Sequence, residues 1–316
     1  MGGSKLRIGV AGSSIWVNYF RQAFEDDPDI DVLVIDQSLQ NSILQAQNLD
    51  ALYLIFGWLD YRHFASFISC AIRGIPIVVH WIGTDVWRMA NPNEMKRKMR
   101  IKRWLLLRSM EANDHCTHLA GAPWLVEELR SCGIEADFCP VICGLLDSHS
   151  TPVYPLPDKM AAFSYIPLGR EEFYGESLVL SAARSNPDVS FTIVANDQAR
   201  QPGDLPNVKY YGWVTANEMD EVMKSSTCCI RLTKHDGLAG TLMEAIMRGR
   251  YGIFSYSHPH VHKASNSEEI NLALADILSK DDPNCKGAEF VRSHYSSEIT
   301  KESLREFLLS AYCAKG

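Results

Sequence analysis

Along the chain, short runs of apolar and β-branched residues alternate with stretches whose apolar positions recur at helical spacing. The first series reads LRIGVAG, a helical pattern from Trp16 to Phe24, DVLVID, ALYLIFG, a helical pattern from His63 to Arg73, and IPIVVHWIG. A second series begins near Met160 with AAFSYIPLG and a helix from Glu176 to Arg184. It continues through SFTIVA, VKYYGWV, a helix around Glu218 to Lys224, CCIRL, another helix and YGIFSY. Strands spaced by helices predict parallel, doubly wound sheets, so the fold class is α/β with two Rossmann-like halves. Between the halves lies CGLLDSHSTPVYPLPDK, whose Pro and turn residues mark a linker. A last helix is expected from Ser297 to Tyr312, after a polar stretch. The 316 residues therefore divide into a domain over residues 1–146, a linker over 147–158, a domain over 159–296 and a terminal helix over 297–316.

Composition narrows the class. Apolar content of 46% with 22% charged residues is ordinary for a globular protein. A net charge of −7 argues against a general nucleic-acid binder, which needs a broad basic face. No apolar run reaches the ~18 residues of a membrane span, and the N-terminus enters a strand with no long apolar leader. Nine cysteines without paired spacing read as reduced thiols, and the expected location is cytoplasmic. One segment runs against the acidic balance. Residues 95–108 hold seven Lys or Arg and no acid, with Met95, Met99, Trp104, Leu105 and Leu106 among them. Such a basic amphipathic helix either lies peripherally on an anionic membrane or presents a solvated face.

The chemistry concentrates in RLTKHDGLAGTLMEAIMRGRYGI, residues 231–253. CCIRL reads as a buried strand, Asp236-Gly237 breaks it, Thr241 to Met247 has helical composition, and Gly249 stops the helix. A helix opening after a Gly-rich loop aims free N–H groups and the positive end of its dipole outward, which suits a diphosphate. Asp236 and Glu244 are eight positions apart, so the first sits in the loop and the second about two turns into the helix on the same side.

This order of acid, glycines, Glu-Ala and a Gly five residues later resembles the Glu-x7-Glu signature of the retaining family 4 glycosyltransferases of the GT-B fold. LAGAPWLVEELRSCGIEADFCPV and LPNVKYYGWVTANEMDEVMKSS resemble further family segments, and the order matches from about residue 75 to 260. The resemblance implies two Rossmann-like domains facing a central cleft, the first for the acceptor and the second for a nucleotide-sugar donor, with the terminal helix crossing back to the first. It implies transfer to a hydroxyl of a glycan, lipid or small molecule, with retention, no metal and no cofactor beyond the nucleotide-sugar co-substrate. In the donor domain it implicates Asp236 with the sugar, Glu244 with the ribose, and Gly237, Leu238, Gly240 and Thr241 around the diphosphate. Arg170, in Gly169-Arg170, stands where the family places a phosphate cation. The family's following Lys-Gly is Tyr174-Gly175 here, and Lys234 or Arg231 could supply the lost charge. The first acid is Asp instead of Glu. In the first domain the VVHWIGTDVW loop carries His80, Thr84 and Asp85. Ile82 occupies the position where many relatives have His, which leaves His80 either to take that role or to serve as a structural histidine. Asp85 is either a polar site residue or a helix cap.

Gly9-x-x-Gly12-Ser13-Ser14 lacks the dinucleotide fingerprint, with only Asp36 as a late ribose acid, and reads as a tight turn whose Gly12 and Ser13 approach a phosphate or acceptor. Asp29-Ile30-Asp31 precedes a strand and reads as a surface turn, not a metal motif. His258, His260 and His262 alternate without a nearby Cys, Asp or Glu to complete a metal set. Three other functions fit the pattern less well: a non-catalytic sugar-nucleotide binder or subunit, a sugar-nucleotide epimerase, and an NAD-dependent dehydrogenase.

Overall fold

The computed structural model describes residues 5–35, 45–55, 61–111, 114–143, 151–197 and 205–313. Asp36 and the first part of the expected linker lie outside them. Contacts divide the chain into two compact units. The first comprises Met1–Gly144, Asp236–Leu238 and Ser297–Gly316, and the second comprises Leu145–His235 and Ala239–Ser296.

In the first unit, strands β1 (Leu6–Gly12), β2 (Ile30–Val34), β3 (Ala51–Ile55), β4 (Ile77–Trp81), β5 (Cys116–Ala120) and β6 (Asp137–Phe138) form a parallel sheet in the order β2-β1-β3-β4-β5-β6. The helices are α1 (Ser14–Ala23), α2 (Tyr61–Ile72), α3 (Thr84–Ala90), α4 (Arg97–Glu111) and α5 (Pro123–Ser131). Every residue of β3 and β4 is buried because both faces of the sheet are covered. Leu52, Leu54, Ile77, Val79 and Trp81 enter one core, while Ala51, Tyr53, Ile55 and Val78 enter the other.

The terminal helix α11 (Ser297–Cys313) adds Leu304 and Leu308 to that second core. Its Ser297 hydroxyl donates to the Cys143 carbonyl at 2.7 Å. Lys301 and Arg305 lie 3.5 and 3.7 Å from the carboxylate of Asp27, which is 3% exposed and would be costly to bury without cations beside it. Arg305 also pairs with Asp29, so that acid serves a surface ion pair.

The second unit holds β7 (Ala161–Tyr165), β8 (Ser190–Val194), β9 (Val208–Tyr210), β10 (Cys228–Arg231), β11 (Tyr251–Phe254) and β12 (His262–Lys263), parallel and ordered β12-β11-β10-β7-β8-β9. Helices α6 (Glu176–Ser185), α7 (Ala216–Lys224), α8 (Gly240–Met247), α9 (Ser267–Leu278) and α10 (Cys285–Tyr295) complete it. The start of α7 is set by a capping box between Thr215 and Glu218. The end of α8 is set by Gly249, whose φ of +80° lets the Arg250 amide return to the Ala245 carbonyl. The stretch read from sequence as merely polar contains α9 and α10, each begun by an asparagine cap, Asn266 and Asn284. The alternating histidines stand near β12. His258 is buried against Phe290 and Tyr295, while His262 lies 3.4 Å from Asp276. All nine cysteines are free. Among the described residues, no helix is long and apolar enough to cross a membrane.

Candidate functional site

In the second sheet β7 runs on to β8 and β9 on one side, while β10, β11 and β12 lie on the other, so strand order reverses between β7 and β10. Open α/β sheets bind ligands beyond the carboxyl ends of the strands at such a reversal. After β7 the loop is shaped by Gly169, at φ +79°, whose amide donates to the Glu171 carboxylate at 2.7 Å. Arg170 follows, exposed, with its guanidinium 4.9 Å from the Phe173 ring centroid and 5.5 Å from that of Tyr174. Gly175 begins α6 at φ +67° and passes so close to Leu232 that an added Cβ would stand 2.5 Å from its carbonyl oxygen. That approach leaves no room for a side chain at position 175.

At the end of β10, Arg231 is buried, with its guanidinium 4.7 Å from the Tyr174 centroid and 5.6 Å from that of Tyr165. Lys234 does not share that setting: it pairs with Glu172 on the surface, both side chains exposed. Of these two cations, Arg231 is the one held at the strand end. Thr233 brings a buried hydroxyl with no hydrogen-bond partner among the described residues. Helix α8 then starts at Gly240 and Thr241 without a side-chain cap, which leaves its first amides for a ligand or water.

Because α8 starts at Gly240, Glu244 stands about one turn into it and not two. It is 7% exposed, and its Oε1 lies 3.3 Å from Arg248. Arg248 Nε donates to Asp220 at 2.6 Å, and Asp220 accepts from the Tyr154 hydroxyl at 2.7 Å. Burial pushes the Glu244 carboxyl up from 4.5 to about 7, against the pull of Arg248 and with help from Asp220. The folded state therefore holds this proton more tightly than the unfolded chain does. Stability should fall as pH rises between 4.5 and about 7, and Glu244→Gln should remove that part of the slope. Urea unfolding of both proteins at the two ends of this window checks it; parallel pH profiles would contradict it.

In the first unit the reversal falls between β1 and β3. Gly12 sits there at φ +151°, where an added Cβ would stand 2.1 Å from the Ile55 carbonyl oxygen, and Ser13 caps α1 exposed, its side chain making no cap bond. His80 is fully buried, its Nε2–H donating to the Cys139 carbonyl at 2.8 Å and its Nδ1 accepting from Tyr53 at 2.7 Å. Burial lowers it to about 4. Both ring nitrogens have partners in the core, which fits the structural alternative for His80. Asp85 is also fully buried. Its carboxylate accepts from the amides of Ile82, Gly83 and Val86 at 2.7 to 3.2 Å. It is not the cap residue, which is Gly83, but its carboxylate fixes the Ile82-Gly83 turn. Thr84 opens α3.

Asp236, Gly237 and Leu238 group with this unit. The Trp124 indole donates to the Asp236 carbonyl at 2.8 Å, Leu238 packs on the first-sheet core, and a Cβ on Gly237 would stand 2.0 Å from the Ile82 carbonyl oxygen. The Asp236 carboxylate accepts from the Gly237 amide at 3.0 Å.

No protein-family model matches the sequence, and no curated protein matches it. Solved structures do. Sucrose-phosphate synthase from Thermosynechococcus elongatus matches with a TM-score of 0.70 at 12% identity, over 98% of this chain and 100% of that one. HepE of Anabaena, in complex with UDP and glucose, matches at 0.69 and 11%, over 97% and 100%. The fold is GT-B. UDP-GlcNAc 2-epimerase from Neisseria meningitidis, bound to UDP-GlcNAc, matches at 0.55 and 13%, over 97% and 100%. In this GT-B chain the sequence had not singled out Tyr154, Asp220, Arg248 or Trp124. Only Arg248 left a signal, four residues after Glu244 on one helix face.

Proposed function

We propose that the protein moves a sugar from a nucleoside-diphosphate donor to a hydroxyl acceptor, with retention and without a metal. The observation that carries this reading is the reversal between β7 and β10. It gathers the uncapped start of α8, the Gly175 start of α6, Arg170 beyond β7 and Arg231 at the end of β10, with Glu244 one turn into α8. In this reading the amides of Gly240 and Thr241 and the two guanidiniums hold the diphosphate, and their fixed charge takes the part a metal would otherwise play. Glu244, ionised, accepts from the ribose hydroxyls. Asp236 meets the sugar hydroxyls, and Gly12, Ser13 and Thr84 belong to the acceptor side.

The bond between the anomeric carbon and the phosphate oxygen breaks, and the diphosphate leaves with the electron pair. The acceptor oxygen bonds to that carbon and passes its proton to the departing phosphate. No protein nucleophile enters this scheme, so rate enhancement rests on placement and charge. The epimerase alternative converts donor with no acceptor, and a donor-binding subunit converts nothing.

Thermal melting with UDP, GDP, ADP, CMP, NAD and matched sugar nucleotides tests the proposal, since a ligand bound only by the folded chain raises its apparent stability. One nucleoside diphosphate should raise the transition, and Arg170→Ala should weaken its binding by about tenfold, the worth of one charge-assisted contact. A shift with NAD alone, or with no nucleoside diphosphate at millimolar concentration, would count against it.

A further inference from the structure

Among the described side chains of helix α4, those that pack into the first unit share one face. Leu107 packs on the core, Met110 is buried, and Arg103 Nε donates to the Met89 carbonyl at 2.9 Å. These positions recur at helical spacing and define the inner face. Arg97, Ile101, Trp104, Leu105 and Arg108 follow the same spacing on the opposite side. Ile101 is 54% exposed, Trp104 56% and Leu105 41%. Lys96, Lys98 and Arg100 are exposed around them, and no Asp or Glu occurs between Met95 and Met110. The rest of the chain outweighs this cluster so far that the protein carries −7 overall.

We propose that this face of α4 docks on a bilayer surface bearing anionic headgroups. Ile101, Trp104 and Leu105 enter the boundary between headgroups and acyl chains, and the flanking cations meet the lipid phosphates and carboxylates. An apolar ridge on water is a cost with no return unless something covers it. A rim of one charge sign selects a partner of the opposite sign. Trp suits the interface, with an apolar body and a polar N–H. A second copy of the chain would set two such cationic rims against each other. The proposal does not depend on the donor-site reading, because α4 belongs to the first unit and the donor site to the second.

Co-sedimentation of the full chain with phosphatidylcholine vesicles, with and without phosphatidylserine, tests it. Binding should require phosphatidylserine and weaken steeply with added salt, since the cations act through a screened potential. The variant Ile101→Ser/Trp104→Ser/Leu105→Ser should lose at least about tenfold in partitioning, with its melting temperature kept because all three side chains are exposed. Arg97→Glu/Lys98→Glu/Arg108→Glu should lose binding as well, which covers the case in which the serine variant misfolds. The proposal is overturned by equal pelleting with neutral and anionic vesicles, by no pelleting with either, or by unchanged pelleting of both variants. A dimer in sedimentation velocity that the serine variant abolishes would likewise overturn it, since the ridge would then be covered by a second copy.

Discussion

Glu244→Ala should raise the dissociation constant for the nucleoside diphosphate about 30- to 150-fold, as expected for loss of roughly 2 to 3 kcal/mol of hydrogen bonding to a charged acceptor. Transfer activity should fall at least as far, because a donor that is not held by its ribose is not aligned at its anomeric carbon. The fold should survive. Arg248 loses one partner but keeps Asp220 at 2.6 Å, and Asp220 keeps Tyr154. Glu244→Gln separates charge from shape: the amide still accepts one ribose bond, yet it cannot carry the negative charge. In the wild type, affinity should rise as pH passes upward through about 7, the region where the buried carboxyl ionises. That rise should be smaller in Glu244→Gln, leaving only the contribution of the nucleotide's own phosphate. Calorimetric titrations of the three proteins at acidic and alkaline pH make the comparison. Equal affinities across them would remove Glu244 from the donor site.

The second large effect concerns stability. Arg250 is fully buried and fans its guanidinium over backbone carbonyls: Ser226 at 2.8 Å, Pro155 at 3.1 Å, Arg248 at 3.3 Å, and Tyr154. Arg292 acts in parallel, its Nη2 donating to the Thr151 and Met247 carbonyls at 2.8 Å. Together they fasten residues 151–155 to the second unit. Arg250→Met keeps much of the volume but orphans several carbonyls at once, a cost on the order of 3 to 5 kcal/mol. The transition of the second unit should fall by roughly 8 to 15 °C. Arg250→Lys should recover less than half of that, since one ammonium cannot span carbonyls arranged around a planar fork. Differential scanning calorimetry reads both; a drop under about 2 °C for Arg250→Met would mean that water replaces the guanidinium.

Much of the fold was legible because the buried parallel strands are short β-branched runs, such as IPIVV and CCIRL, bounded by turn residues. Helices α9 and α10 were not recognised, although α9 carries Ile270, Leu274 and Ile277 at helical spacing. The signal that marks their starts is local: Asn266 accepts from the Glu269 amide and Asn284 from that of Gly287. The order of strand, Gly-rich loop and helix that carries Gly240, Thr241 and Glu244 was legible in the sequence, but spacing could not say where His80 and Asp85 point. His80 alternates into the core that also holds Tyr53, on a strand buried on both faces, and alternation in a doubly buried strand does not show from sequence which side chains are hydrogen-bonded inside. Lys234 reads from sequence as a spare cation, yet Glu172, 62 positions away, takes it. The Tyr154, Asp220 and Arg248 network has the same character, since pairing across tens of residues leaves no periodic trace.

The central claim is that the reversal between β7 and β10 holds a nucleoside diphosphate. A crystal structure of the protein soaked with the nucleotide selected by thermal melting tests it most directly. The account predicts density for the diphosphate at the amides of Gly240 and Thr241, within reach of Arg170 or Arg231, and ribose hydroxyls on the Glu244 carboxylate. Nucleotide bound instead at the Gly12-Ser13 turn of the first sheet, with the second sheet empty, would contradict it.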